Sequence, residues 1–341
     1  MENTFKPRCC GIWSALSKEQ LNFADIINEF IDNARAAAAT RITVHLVQTD
    51  TDEFSLEVTD DGYGMAREDF DQIFSVGALR GALAYKRCGM GLKVALANAD
   101  PENLSWEIRT KTTNGECSYI GAPYAEQMAF ESLNPKELKS LRRSGTIISS
   151  MLSRSVFERG LEGTESDEER IAMLVEILRV TYAPLLPKEQ QEEGDSHLSI
   201  QLLWTPLLGQ KQIIDLTALS PIWAQQNVGY DRANIVKHDS EVYAQYTLGK
   251  INLMPENWRF YRGDRKSAGL MVYLHGRLVQ YGIWNCENPR QNDFLFVVNL
   301  DGVVTKLPLC NGGKTQLKIE DTTVHDFLRW VQQTCPEPLK G

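Results

Sequence analysis

The sequence has no apolar run approaching the roughly 20 residues that a membrane-spanning helix needs. Its first residues, "MENTFKPRCCGIW", carry no secretory apolar core. These absences predict a soluble, intracellular protein with no membrane partner. Cysteine is sparse and irregular: the seven residues Cys9, Cys10, Cys88, Cys117, Cys286, Cys310 and Cys335 form an odd set without CxxC spacing. Such a set argues against a disulfide framework and against a zinc site, and fits a reducing compartment. Positive charge is also short. A formal net charge of −9 gives no overall electrostatic footprint for nucleic acid, because binding to phosphates needs cations that displace counterions. The local stretch "KELKSLRR" (Lys136–Arg143) reads as a solvated helix or turn surface. No repeat occurs at solenoid or propeller spacing. What remains is a chain of 341 residues, 43% hydrophobic, long enough for two globular domains with a core each.

Along the chain, Phe23, Ile26, Ile27, Phe30, Ile31 and Ala34 recur at helical spacing and predict a core-facing helix, with Ser17 and Gln20 as a capping box at its start. "RITVHLV" (Arg41–Val47) and "EFSLEVTD" (Glu53–Asp60), joined by "QTDTD", predict a β-hairpin. Further strands are expected at "LSWEIRTKT" and "GTIISSML", followed by a helix over Glu165–Tyr182. The polar stretch "LPKEQQEEGDSH" (Leu186–His197) has no periodicity and predicts a boundary, giving domains over 1–190 and 191–341. Strands dominate the second part, at "LSIQLLWTP", "KQIIDLT", "GLMVYLHGRLVQYGIW" and "DFLFVVNLDG". A closing helix over Thr322–Cys335 is expected to pack through Val324, Phe327, Leu328 and Val331.

Three features suggest chemistry. Glu29 and Asn33 lie one helical turn apart, so they project together near the edge of an apolar stripe. The second hairpin strand runs into "DDGYGM" (Asp60–Met65). There Gly62 and Gly64 let the backbone turn sharply and approach a flat ligand, while the Asp60 carboxylate can accept a hydrogen bond from an exocyclic amine. "RCGMGLKVALANA" (Arg87–Ala99) opens a helix with Gly89 and Gly91, whose N–H groups would face a phosphate, and Lys93 adds a charge. This string is neither a Walker signature nor a Rossmann fingerprint.

In their order, "NEFIDNA", "DDGYGM", "CGMGLK" and "SGTIIS" resemble the four nucleotide-binding motifs of the GHKL ATPases, the superfamily of gyrase, heat-shock chaperones, histidine kinases and MutL. The resemblance implies an α/β (α+β) Bergerat fold, a helical layer on a mixed, mostly antiparallel sheet, with ATP and Mg²⁺ as cofactors. It assigns Asn33 to Mg²⁺, Glu29 to activation of the attacking water and Asp60 to the adenine amine. Gly62, Gly64 and Met65 would shape the base pocket, and Gly89, Gly91, Leu92 and Lys93 the phosphate site. Thr146 would make a water-bridged adenine contact. The segment "SVGALRGALAYKRCGMG" is short for a lid; Gly77 and Gly81 are its candidate hinges, and Arg80, Lys86 and Arg87 its candidate phosphate cations.

The second half, with "GLMVYLHGRLVQYGIW" and "DGVVTKLPLCNGGKTQL", is similar to the smaller transducer domain of hydrolysing GHKL members. The likeness includes the MORC proteins and the ATPase module of chromosome-maintenance proteins that carry a flexible-hinge domain. It implies that a lysine, Lys314 or else Lys306, reaches the γ-phosphate, and that ATP drives homodimerisation. Chromatin or DNA-associated partners, gene silencing and a nuclear location follow from the same likeness. Three alternatives stand beside this reading: a nucleotide-sensing module with little turnover, a mismatch-repair or topoisomerase-type ATPase fragment, and a histidine-kinase-like enzyme. Glu29 and the short segment upstream of the first motif disfavour the last.

Overall fold

The computed structural model describes residues 9–66, 69, 90–124, 131–138, 140–141, 143–188, 198–232, 235, 241–254, 259–262, 269–282, 293–311 and 314–334. Contacts divide the chain into two units. The first takes the described residues through Val175 with those of Glu192–Leu216, and the second takes Glu176–Gln191 and Thr217 onward.

The first unit opens with α1 (Cys9–Ser17), α2 (Phe23–Ala36) and the hairpin of β1 (Arg41–Gln48) and β2 (Glu53–Asp60). Then follow α3 (Gly91–Ala99), β3 (Glu107–Lys111), β4 (Cys117–Gly121), β5 (Glu131–Ser132), β6 (Gly145–Ser153) and α4 (Arg154–Glu158). The helix α5 (Asp167–Thr181) gives its residues through Val175 to this unit and the rest to the second. Strands β7 (Ser199–Thr205) and β8 (Gln212–Asp215) complete the first sheet. Its order is β5-β4-β3-β6-β2-β1-β7-β8, and every pairing is antiparallel except the parallel β1–β7. Residues 199–215 lie past the division expected at 190, yet their strands extend this sheet from β1.

Burial explains α2. Phe23, Ile26, Ile27, Phe30, Ile31 and Ala34 are all buried, as the apolar spacing predicts. Its start differs from expectation: the cap is Asn22, whose side-chain oxygen accepts from Asp25 N at 2.8 Å, while Ser17 ends α1 and donates to Ser14 O. The reason is local. Gln20 sits at φ 37°, a left-handed conformation that no continuous α-helix includes, so the helix begins only after it. The short α1 is held by Trp13, which stacks on Trp106 and Tyr124 at 5.6 Å and donates from Nε1 to Asp100 O.

In β2, strand alternation puts Phe54, Leu56, Val58 and Asp60 on one buried face. The carboxylate therefore arrives on the side that carries the core.

The second unit holds β9 (Ile222–Asp231), β10 (Val242–Asn252), β11 (Gly269–Leu274), β12 (Arg277–Tyr281), β13 (Phe294–Gly302) and α6 (Thr322–Thr334). The strand order is β12-β11-β13-β10-β9, with only β11–β13 parallel. The β11–β12 turn is made by His275 and Gly276 at φ 48° and 76°, the positive pair that a tight hairpin of this twist demands. Val324, Phe327 and Val331 of α6 pack with Leu270, Val272, Phe296 and Val298, and Leu328 is partly buried against them, as expected. Trp330 joins them, its Nε1 donating to Asp231. Among the described residues β9 is one of the two edge strands, with β12 at the other side; its Ile222, Val228 and Tyr230 are exposed, and its one charged residue is Asp231.

Candidate nucleotide site

Glu29 is buried on α2, and Asn33, one turn on, is half-buried. Asn33 Nδ2 donates to Glu29 O at 2.7 Å, which orients the carboxamide. Helix α3 packs on α2. Its first residue is glycine, and a Cβ at Gly91 would overlap the Glu29 carboxylate unless that side chain moved. The first and third motifs therefore meet: a carboxylate from α2 lies against the N-terminus of α3, where aligned backbone dipoles favour negative charge. Lys93 is buried within the first turn of the same helix, and burial depresses its ammonium to about 8.

The two carboxylates after β2 have opposite environments. Burial pushes Asp60 up to about 6, although its carboxylate accepts N–H bonds from Gly62 and Thr146; the Gly62 bond is 2.8 Å. The neighbouring Asp61 charge pushes in the same direction. For Asp61, partial burial acts upward but is outweighed by bonds from Arg41 and Thr40, so its pKa is lowered. Asp61 Oδ1 accepts from Thr40 N and Arg41 N at 2.8 Å each. Asp61 thus fastens the loop to β1, and Asp60 is the carboxylate held ready at the core side.

Glycine is required twice in this loop. A Cβ at Gly62 would stand 2.6 Å from Ala37 O, and Gly64, at φ 73°, would drive one into Lys111 O. Met65 N donates to Thr110 Oγ1 at 2.9 Å. Thr146, buried on β6, lies across from Thr110 in the β3–β6 register, with hydroxyls 3.4 Å apart. Gly145 allows the close approach of β6 to β2, since a Cβ there would strike Asp60 O.

The structure therefore brings together two groups of expected residues in the first unit: Glu29, Asn33, Gly91 and Lys93, and Asp60, Gly62, Gly64, Met65 and Thr146. Leu92 sits half-buried in α3. Gly89 and the lid candidates Gly77, Arg80, Gly81, Lys86 and Arg87 lie outside the described residues. Lys314 and Lys306 both belong to the second unit. Lys314 is buried at φ 55°, its carbonyl accepting from Arg277 Nη1 at 2.9 Å, whereas Lys306 is exposed. Thr110 was not anticipated. Its signal was available in "WEIRT", where alternation places a hydroxyl in line with Trp106 and Ile108 on the buried face of β3, and a buried hydroxyl needs partners.

The residues present fit a bound nucleotide. Gly62, Gly64 and Gly91 leave no side chain against Ala37 O, Lys111 O and the Glu29 carboxylate, Asp60 supplies a buried acceptor, and a helix N-terminus carries a buried cation. Asn33 has the hard oxygen donor that Mg²⁺ prefers, and that ion takes few protein ligands when phosphates and waters complete its shell.

Fold and motifs together resemble those of GHKL-type ATPase domains. Residues 21–119 match the family described as histidine kinase-, DNA gyrase B-, and HSP90-like ATPase. The segment so matched holds α2, the hairpin and α3, the elements on which most of the site is built. Among solved structures, the N-terminal domain of a DNA repair protein aligns with a TM-score of 0.55 at 12% identity, covering 95% of this chain and 100% of that one. That likeness is one of fold. No curated protein matches the sequence.

Proposed function

We propose that the chain is a Mg²⁺-dependent ATPase in which nucleotide binding closes the two units and promotes homodimerisation. The observation that carries the reading is the meeting of Glu29 with Gly91 at the start of α3. It puts a candidate general base beside a phosphate-favouring helix end. Glu29 would orient the attacking water and take its proton, a role worth about 10²–10⁴-fold in rate. Asn33 would hold Mg²⁺, which supplies charge neutralisation at phosphate oxygens. Asp60 would accept from the adenine amine, Gly62, Gly64 and Met65 would shape the base pocket, and Thr146 would contact the base through water. Gly89, Gly91, Leu92 and Lys93 would cradle the phosphates; an anion there would restore the charge that burial penalises on Lys93.

The second unit would act as the transducer, with Lys314 completing the phosphate site and Lys306 as the alternative. A MORC-like role at chromatin or in DNA-associated regulation, in the nucleus, follows from the sequence resemblance; the fold-level likeness to a DNA repair protein's domain is compatible with the DNA-associated part. The test is phosphate release beside light scattering with ATP, ADP and a non-hydrolysable ATP analogue. Turnover dependent on Mg²⁺, with a dimer formed by the analogue and not by ADP, is the expected result. The same mass in all three nucleotide states would overturn the ATP-gated dimer, and absence of phosphate release would overturn the enzyme.

A further inference from the structure

We infer that Thr110 is a positioning residue that sets the preference of the pocket for adenine over guanine. The inference rests on the nucleotide-site reading and deepens it. Thr110 belongs to β3, a strand outside all four motifs, yet its hydroxyl joins two of them. It accepts from Met65 N at 2.9 Å, donates to Gly145 O at 3.1 Å, and lies 3.4 Å from the Thr146 hydroxyl. The side chain is fully buried, so no solvent competes for these bonds.

A threonine hydroxyl has one hydrogen and two lone pairs. The hydrogen of Thr110 is committed to Gly145 O, and one lone pair to Met65 N–H. Only a lone pair is left for Thr146, so in the Thr110–Thr146 pair the hydrogen comes from Thr146. That fixes the polarity of the Thr146 hydroxyl: its own hydrogen is spent on Thr110, and its oxygen is an acceptor for any base or bridging water. The ionised Asp60 carboxylate, which receives the Thr146 N–H, is an acceptor as well. A pocket edge of two acceptors matches the exocyclic amine of adenine and opposes the carbonyl oxygen of guanine at the same place. Replacing the amine by that oxygen leaves buried acceptors facing an acceptor, the situation that discriminates most strongly between polar ligands. Without the Thr110 hydroxyl, Thr146 is free to turn its hydrogen outward, and the Met65 amide loses its anchor.

Affinities for ATP and GTP, with KM and kcat for ATP, are measured on the full chain carrying Thr110→Val, Thr110→Ser, Thr146→Val, and Thr110→Val with Thr146→Val. Thr110→Val is expected to lower the ATP-to-GTP preference about tenfold, the worth of one buried hydrogen bond. The loss should appear in KM, with kcat at saturating ATP within about twofold of the parent, as for lost uniform binding. Thr110→Ser should restore the preference. In the Thr146→Val background, Thr110→Val should change the preference no further. A folded Thr110→Val chain with unchanged preference overturns the inference, as does a preference lost equally in Thr110→Ser. Should Thr110→Val fail to fold, Thr110→Ser and the Thr146→Val chain decide: Thr146→Val with full preference overturns the proposal. Failure of the parent chain to bind ATP would instead sink the nucleotide reading itself.

Discussion

The two sheets bury different chemistry. In the first unit, the buried positions of three neighbouring strands include Asp60, Thr110 and Thr146, all within 7% exposure. In the second, the corresponding core beneath α6 is aliphatic and aromatic, built from residues such as Val272, Phe296, Val298 and Trp330. Burying polar groups is costly unless each is bonded. The first sheet satisfies them with backbone groups and with each other. The second sheet has its buried charged groups elsewhere: Arg277 donates to Leu278 O and Lys314 O, and so ties the loop after β13 to β12. The comparison teaches that one sheet buries bonded polar side chains where the other buries an aliphatic and aromatic core.

The sharpest way to break that comparison is to remove the carboxylate at the polar end. Glu29→Gln should lower ATP turnover by about 10²–10⁴-fold while leaving nucleotide affinity nearly intact, as phosphate release and calorimetry would show. Gly91→Ala should do comparable harm by displacing the same carboxylate. Wild-type turnover in Glu29→Gln would remove the base from the proposed mechanism.

On the supporting side, Trp330→Ala should destabilise the second unit by about 3–5 kcal/mol through loss of packing and an unfilled cavity, read as a lowered denaturation midpoint. A loss below about 1 kcal/mol would mean that α6 contributes little to that core.

A smaller effect concerns pH. Asp60 has its pKa raised to about 6, and only the carboxylate form accepts fully from an amine. ATP affinity should therefore fall, by up to about tenfold per pH unit, as pH drops below about 6, and Asp60→Asn should abolish this dependence. The same group has the opposite effect on folding: because its folded pKa lies above the unfolded value, ionisation costs stability as pH rises through the interval from about 4 to 6. Calorimetric titrations at several pH values check the first statement; a flat parent profile contradicts it.

The smallest effect is at the α2 cap. Asn22→Ala should cost about 1 kcal/mol, measured by denaturant unfolding, whereas Ser17→Ala should cost less because its hydroxyl caps nothing on α2.

Much of the polar sheet was legible in order along the chain. The β1–β2 hairpin, α2 and β6 carry strong period signals, and Glu29 and Asn33 share a helix side by simple spacing. Short α1 and exposed β9 were not foreseen. The first is fixed by aromatic stacking across the fold rather than by its own period. The second shows a polar run, Gln225–Asn227, where a half-buried strand would alternate. The start of α2 turned on one left-handed residue, Gln20. Thr110 became recognisable only through register, because its neighbours Met65, Gly145 and Thr146 come from other segments.

The outer strand β9 carries a practical consequence for handling the protein. Over its ten residues it has no lysine, no arginine and no proline, and Val228 is 74% exposed. Sheet edges are usually guarded by such residues or by a twist that turns them away; here the ladder with β10 does have one irregularity, between Lys250 and Ile251, but it leaves the stretch from Gln226 to Tyr230 regular. Concentrated or gently heated samples should therefore lose material first by strand-to-strand accretion along this edge. Val228→Lys, on the solvent side and remote in sequence from every nucleotide motif, should act as a gatekeeper and widen the range of concentrations at which the chain stays colloidally dispersed.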